Sequence, residues 1–267
     1  MVKMMLILII SCSFAAVKII FSNTYKEVKN AIEQCILTFD TNGKKFDERK
    51  RNALKLFEVE GRTVNIKSFK VPNIINRIAY KIFRSSKAQR SFEYAHKLIE
   101  NDVLTPHPIA YAEEKKLLFG RSFYVSEHLD YDLTYRELCY DSPYDGNEDI
   151  LAAFARFTYT LHQKGIHFLD HSMGNTLIVI KEDGYDFYLV DLNRMRFGEM
   201  DFATRIANFS RLSPRQKDIA VMAKAYAEVS GESQDKVYTE MLKGIIAFRN
   251  RSKKKKRLKK QLKFWKK

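Results

Sequence analysis

The stretch 165–197, GIHFLDHSMGNTLIVIKEDGYDFYLVDLNRMRF, constrains this chain more than any other. Ahead of it, residues 150–164 (ILAAFARFTYTLHQK) place Leu151, Phe154, Ala155, Thr158 and Leu161 on one side at helical spacing. Gly165 stands where a helix C-cap glycine belongs. After a loop come two short apolar runs, 176–180 and 187–190, around the turn Glu182-Asp183-Gly184, which predicts a β-hairpin. Asp170 and Asn175 lie in the loop, and Asp191 follows the apolar YLV directly. A helix stopped by glycine, a rigid loop and a hairpin would hold these three side chains on one face of a cleft. A random chain often holds Asp and Asn five apart, but rarely with the helix, the hairpin and the second Asp in order.

The rest of the chain divides by its periodicity. Residues 17–21 suit a strand, and 25–37 carry Val28, Ile32, Cys35 and Ile36 at helical spacing, followed by a turn at 40–44. Residues 53–59 and 63–69 alternate and join at Glu60-Gly61, a second hairpin, which Pro72 closes. Residues 74–100 are helical by pattern, most regularly from 88, and Pro106 and Pro108 then force an extended segment. Strands are predicted at 111–113, 117–119 and 122–127, giving a small antiparallel sheet of about five strands with one helix inserted. After Asp130 the character changes, and beyond Phe202 the pattern is helical and basic to the end. The order is an apolar segment (1–16), a β-rich lobe (17–128), a helical lobe (129–248) joined to it by a connector near 126–133, and a basic tail (249–267). The fold class expected is α+β.

Composition bounds this reading. Of 267 residues 45% are hydrophobic, enough to bury a core as one domain or as two joined lobes. Ten Gly and five Pro against 14 Tyr and 19 Phe argue for a packed protein over a linker-rich or repeat one. Cys12, Cys35 and Cys139 are scattered without ligand spacing, which excludes a disulfide framework or structural zinc site as the organising device and suits a reducing compartment.

The chemistry of the three central residues is specific. Transfer of a γ-phosphoryl group calls for a carboxylate that orients the acceptor hydroxyl and takes its proton, with an amide oxygen and a second carboxylate to hold magnesium on the phosphates. Asp170, Asn175 and Asp191 supply those groups, in that order. His162, His167 and His171 cluster nearby, but their spacing is not that of helical metal ligands, and they read as satisfied histidines.

In these motifs the sequence resembles the protein kinase superfamily, whose catalytic loop has Asp, four residues and Asn, then a strand and a metal-binding Asp. More closely it is similar to the bacterial lipopolysaccharide core kinases, which phosphorylate heptose or Kdo sugars. DHSMGN stands at their D-x-S-P-G-N type loop and VDLNRMRF at their Asp-containing strand end; VNIKSFKVPN and TPHPIAY also have that family's look. The resemblance covers residues 62–202. It implies a protein-kinase-like bilobal fold, with a small antiparallel β-rich N-lobe and a mainly helical C-lobe, and ATP and Mg2+ as cofactors. Asp170 becomes the catalytic base and Asn175 and Asp191 the metal ligands. It also implies a lysine for the α- and β-phosphates and a helix glutamate to pair with it. Lys67, in the V-x-I-K setting of Val64-Asn65-Ile66, fits the first role best, with Lys70 the alternative. Glu93 is the candidate for the second, with Glu100 on the same face and a plain solvent-facing charge as the other possibilities.

The departures from the family pattern are definite. Phe168 replaces the histidine that kinases hold two residues before the catalytic Asp, so the loop needs a different internal support. No GxGxxG precedes Lys67, and Asp191 is followed by Leu192-Asn193 where kinases have Phe-Gly. Together these leave a pseudokinase as an alternative. Asp130 and Asp132 suit either a hinge or acceptor-cleft role or a structural one. Arg194 and Arg196 could receive an anionic sugar or pair with nearby carboxylates.

Forty-seven Lys and Arg against 32 Asp and Glu give a net charge of +15, which favours anionic partners. Much of the excess lies in 249–267 (RNRSKKKKRLKKQLKFWKK), where Leu258, Leu262, Phe264 and Trp265 give a short helix one partly apolar edge. That pattern suits an anionic membrane surface, with a solvated tail and RNA binding as the rival readings. Residues 4–16 form an apolar run too short to span a membrane, open to reading as a signal, an interfacial anchor or an extension. The expectation is thus a cytoplasmic kinase, peripheral on the inner membrane, acting on lipopolysaccharide core or a lipid-linked sugar. Nucleic acid is not the expected partner; the alternative acceptor is a protein or another small molecule.

Overall fold

In the computed structural model the residues described are 17–47, 52–71, 85–114, 120–140, 147–212 and 215–264. These described residues fall into two compact units, one within the bounds Met1–Gln89 and Ile109–Val125, the other within Arg90–Pro108 and Ser126–Lys267.

The first unit is organised by alternation. Strand β1 (Val17–Phe21) is followed by helix α1 (Lys29–Leu37), β2 (Lys44–Asp47), and the hairpin of β3 (Asn52–Val59) and β4 (Arg62–Phe69). At the hairpin's turn Glu60 and Gly61 have φ of 49° and 77°, the paired left-handed residues that a tight two-residue connection requires. With β5 (Pro108–Glu114) and β6 (Ser122–Glu127) these strands form a sheet in the order β1-β5-β6-β4-β3-β2. The expected five strands become six among the described residues, because β2, four residues of KKFD, has no alternation to reveal it. The strand expected at 117–119, the helix expected at 74–84 and the apolar segment 1–16 lie outside the described residues.

Alternation along β4 sends Val64 and Ile66 into the core with Phe57, Val59, Ile109, Phe123 and Val125, against Ile32 and Ile36 of α1 and Val28 just before it. The register sets Leu54 opposite Lys67 and Leu56 opposite Asn65, so Lys67 lies on the other face of the hairpin, partly buried, with its ammonium 5.5 Å from the Phe69 ring. Lys55 shares the core face and is buried. Its ammonium donates to the carbonyls of Phe39 (2.5 Å) and Asn42 (2.8 Å), so this lysine fastens the loop that follows α1.

Helix α2 (Lys87–Glu100) starts at Ser86, whose hydroxyl accepts the Gln89 N–H at 2.9 Å, an N-cap bond. It buries Ala88, Phe92, Ala95 and Leu98 at helical spacing and leaves Glu93 and Glu100 exposed. In the second unit follow the short β7 (Leu133–Thr134), α3 (Tyr135–Tyr140) and α4 (Asn147–Gln163), the last burying Ile150, Leu151, Phe154, Ala155, Thr158 and Leu161 as its sequence pattern requires. Then come β8 (Ile166–Phe168), the hairpin β9 (Thr176–Lys181) and β10 (Gly184–Leu189), and β11 (Met195–Phe197). Asp132 is structural here: its carboxylate accepts the Ile180 N–H at 2.7 Å and so ties β7 to β9. Helices α5 (Phe202–Ala207) and α6 (Gln216–Ser230), the 3-10 turn Asn208–Arg211 between them, and α7 (Gln234–Phe264) complete the chain. Val237, Met241 and Ile245 seat α7 in the core, whereas 253–261 are exposed throughout. No helix among the described residues is long and apolar enough to cross a membrane. Sheets and helices together make the fold α+β.

Candidate active site

Two backbone bonds fix the ends of the loop 169–175, and two more hold the segments that flank it. Leu169 donates to the Arg194 carbonyl (3.1 Å) and Val190 to that of Asn175 (3.0 Å). Gly198 donates to Gly165 (2.9 Å), and Leu189 to Leu104 (3.0 Å), in the segment after α2. The ladder that frames the loop is β8 paired with β11, Phe168 opposite Met195 and His167 opposite Arg196. Gly165 is required at its start: φ is +67°, and a Cβ there would stand 3.1 Å from the Gly198 carbonyl oxygen.

Within this frame Asp170 and Asn175 are brought together. The Asn175 amide donates to the Asp170 carbonyl at 2.8 Å, which commits its Nδ2 to the loop and turns Oδ1 the other way. Because Val190 hangs on the Asn175 carbonyl, the next residue, Asp191, is fixed relative to both. Asp191 has φ of 61°, a left-handed backbone that a non-glycine residue adopts only when its surroundings impose it. One of those surroundings is Asn193, whose amide donates to Asp191 Oδ1 at 2.7 Å. Asn193 is itself held through its carbonyl by the buried Arg90 of α2, at 3.0 Å. The donor set fits magnesium: one amide oxygen turned out of the loop and one oriented carboxylate, hard ligands of the kind that ion takes beside phosphates.

The carboxylate of Asp170 is 19% exposed and is paired through Oδ1 with Arg211, whose guanidinium also lies 5.6 Å from the Phe248 ring of α7. Below it runs a buried relay. Tyr226 of α6 and His162 Nδ1 of α4 are 2.9 Å apart, and His162 Nε2 is 3.2 Å from Asn208 Oδ1. Asn208 Nδ2 donates to the Phe168 carbonyl at 2.9 Å. An amide oxygen only accepts, so His162 carries its proton on Nε2 and receives the tyrosine's on Nδ1. This relay, together with His171 packed between the Phe154 and Phe168 rings, supplies the internal support that Phe168 cannot give as a side chain. Burial keeps both histidines neutral, pushing His162 down to about 4 and His171 down to about 3. His167, half-buried, is also lowered, by burial and then by Arg196 opposite it.

Of the residues singled out in the sequence, Asp170, Asn175 and Asp191 sit on this one framework. Glu93 is exposed on α2, and Lys67 belongs to the first unit. The side chain of Arg194 is exposed and its contribution is the backbone carbonyl. Sequence reasoning missed Arg211, Asn193, Arg90 and Asn208. Only Asn193 left a readable signal, a side-chain amide two residues beyond a carboxylate in a loop.

The sequence model described as "Lipopolysaccharide kinase (Kdo/WaaP) family" matches residues 39–232, well over half of the chain. WaaP, solved in complex with acyl carrier protein, is similar to this chain with a TM-score of 0.57 and 17% identity, over 89% of this chain and 98% of that one. The kinase domain of PknI from Mycobacterium tuberculosis gives a TM-score of 0.43 and 14% identity, over 75% of this chain and 94% of that one. No curated protein matches the sequence. The fold is kinase-like and the protein is an enzyme, a kinase. The chain belongs to the lipopolysaccharide kinase (Kdo/WaaP) family.

Proposed function

We propose that the protein transfers the γ-phosphoryl group of ATP to a sugar hydroxyl of lipopolysaccharide core, on Kdo or heptose. Family membership supports the acceptor class, and the 2.8 Å bond from the Asn175 amide to the Asp170 carbonyl carries the assignment of the chemical centre. That bond makes one rigid unit of the base and the first metal ligand, and the Val190–Asn175 bond adds Asp191 to it.

Asp170 orients the acceptor hydroxyl and takes its proton as the bond to phosphorus forms. Arg211 holds Oδ1 of this carboxylate, which leaves Oδ2 to face the acceptor. Asn175, through Oδ1, and Asp191 hold magnesium, which when bound neutralises charge on the phosphoryl oxygens. Asn193 steadies the Asp191 carboxylate, and Arg90 steadies Asn193. Lys67 holds the α- and β-phosphates, with Glu93 as its partner, and residues 17–128 and 129–248 act as the nucleotide-binding and catalytic lobes. The exposed basic end of α7 supports a peripheral site of action on an anionic inner-membrane surface, at its cytoplasmic side where ATP is present.

Acceptor profiling tests the reading. The protein, magnesium and ATP are offered Kdo-terminated core, heptose-terminated core, an aminoglycoside and a generic protein substrate, and products are followed by mass spectrometry. A phosphate-sized mass gain confined to one core sugar is expected; gain on protein or aminoglycoside alone overturns the acceptor assignment.

A further inference from the structure

Next to the Asp170 loop, entirely within the second unit, lies a cavity of about 340 Å³ lined by β8, α5 and the 3-10 turn, with Arg196 of β11. Its polar lining is His167, His171, Arg196, Thr204, Asn208, Ser210 and Arg211, with no carboxylate among the lining residues. Arg196 and His167 face one another across the β8–β11 ladder, so their side chains project from the same face. Arg211 also lines the cavity, its guanidinium against the Phe248 ring. His171 is 1% exposed; the Asn208 side chain lies close enough to interact with it, but neither ring nitrogen makes a well-formed hydrogen bond among the described residues. A buried imidazole this poorly satisfied costs free energy unless something in the cavity meets its nitrogens.

Two guanidinium groups, the Ser210 hydroxyl and a poorly satisfied imidazole match a doubly charged oxyanion, and the acids at the edge are already engaged, Asp170 by Arg211 and Asp201 by Thr204. We propose that this cavity binds a phosphate monoester or free phosphate, held by Arg196 and Arg211 with Ser210 and His171, and that the anion competes with Asp170 for Arg211. A bound phosphate draws the guanidinium toward itself and releases Asp170 Oδ1. The site therefore reports to the carboxylate beside it, and only this consequence for transfer rests on the kinase reading. Binding itself does not.

Calorimetric titration of the full-length protein without ATP, using inorganic phosphate and separately a hexose phosphate, with chloride as control, tests the proposal. One phosphate per chain is expected. Arg196→Ala, a change at an exposed strand position that leaves the basic tail intact, should weaken binding at least tenfold. Asp170→Asn, which removes the competing charge, should tighten it several-fold. Tighter binding of the hexose phosphate means the anion arrives on a larger molecule, and equal binding means free phosphate suffices; both support the site. Heat no different from chloride, or an affinity indifferent to Arg196→Ala, overturns the site, and an affinity indifferent to Asp170→Asn overturns the coupling. Phosphate binding in a protein that transfers nothing would sink the kinase assignment while leaving the site standing.

Discussion

Two buried histidines and one carboxylate set the behaviour of the site residue by residue. His162 and His171 are held neutral in the fold, with values of about 4 and about 3, whereas an unfolded histidine titrates near 6.5. Between pH 6.5 and about 4 the unfolded chain therefore binds more protons than the native one, and stability falls as the pH is lowered through that window. The loss is on the order of 3 kcal/mol for each histidine. Thermal melts should show a Tm that is level from pH 8 to about 6.5 and falls from there to pH 5, less steeply in His162→Gln, whose amide can keep the Asn208 contact without taking a proton; a profile that stays flat below pH 6.5 contradicts the account. Asn193 is the second test at this scale. It orients Asp191 and makes no proposed contact with substrate, so Asn193→Ala should weaken magnesium activation about 10- to 100-fold, with ATP-independent stability little changed. Rescue of that loss by excess magnesium is the signature that separates a positioning role from a merely structural one.

At the scale of elements, legibility followed length. The helix over 150–164, the hairpins at 53–69 and 176–190 and the C-cap at Gly165 were readable because each spans enough residues to show its period, or uses a residue with one conformational purpose. β7, β8 and β11 have two or three residues each, and no period exists at that length, yet β8 and β11 are what close the Asp170 loop. The Asp-Asn-Asp order was visible in the sequence. Its supports were not, because Arg211 lies 41 residues from Asp170 and Arg90 lies 103 from Asn193, and only the fold brings such pairs together. The closing ladder also defines a prediction. Gly165→Ala puts a Cβ onto the Gly198 carbonyl at a left-handed backbone, so it should destabilise the protein by about 1 kcal/mol or more, read from urea denaturation. An unchanged midpoint would mean that the start of the loop tolerates relaxation that this geometry does not suggest.

For the whole molecule, the division between packed body and charged extension matters most. The core-seating residues of α7 end at Ile245, and Phe248 still meets Arg211, whereas the helix beyond is basic and exposed. Removing residues 249–267 should therefore leave the melting temperature and turnover on a soluble acceptor unchanged. Co-sedimentation with vesicles containing anionic lipid should be lost, each basic residue near such a surface being worth about 1 kcal/mol. A truncated protein that binds vesicles as well as the parent would move the membrane contact elsewhere. The most direct test of the central claim is magnesium-dependent phosphate transfer from ATP to purified lipopolysaccharide core, comparing the parent with Asp170→Ala and Asp191→Ala. A loss of at least about 100-fold in both variants, with unchanged circular dichroism, is the predicted result; transfer by either variant at the parent's rate would contradict the assignment of these carboxylates.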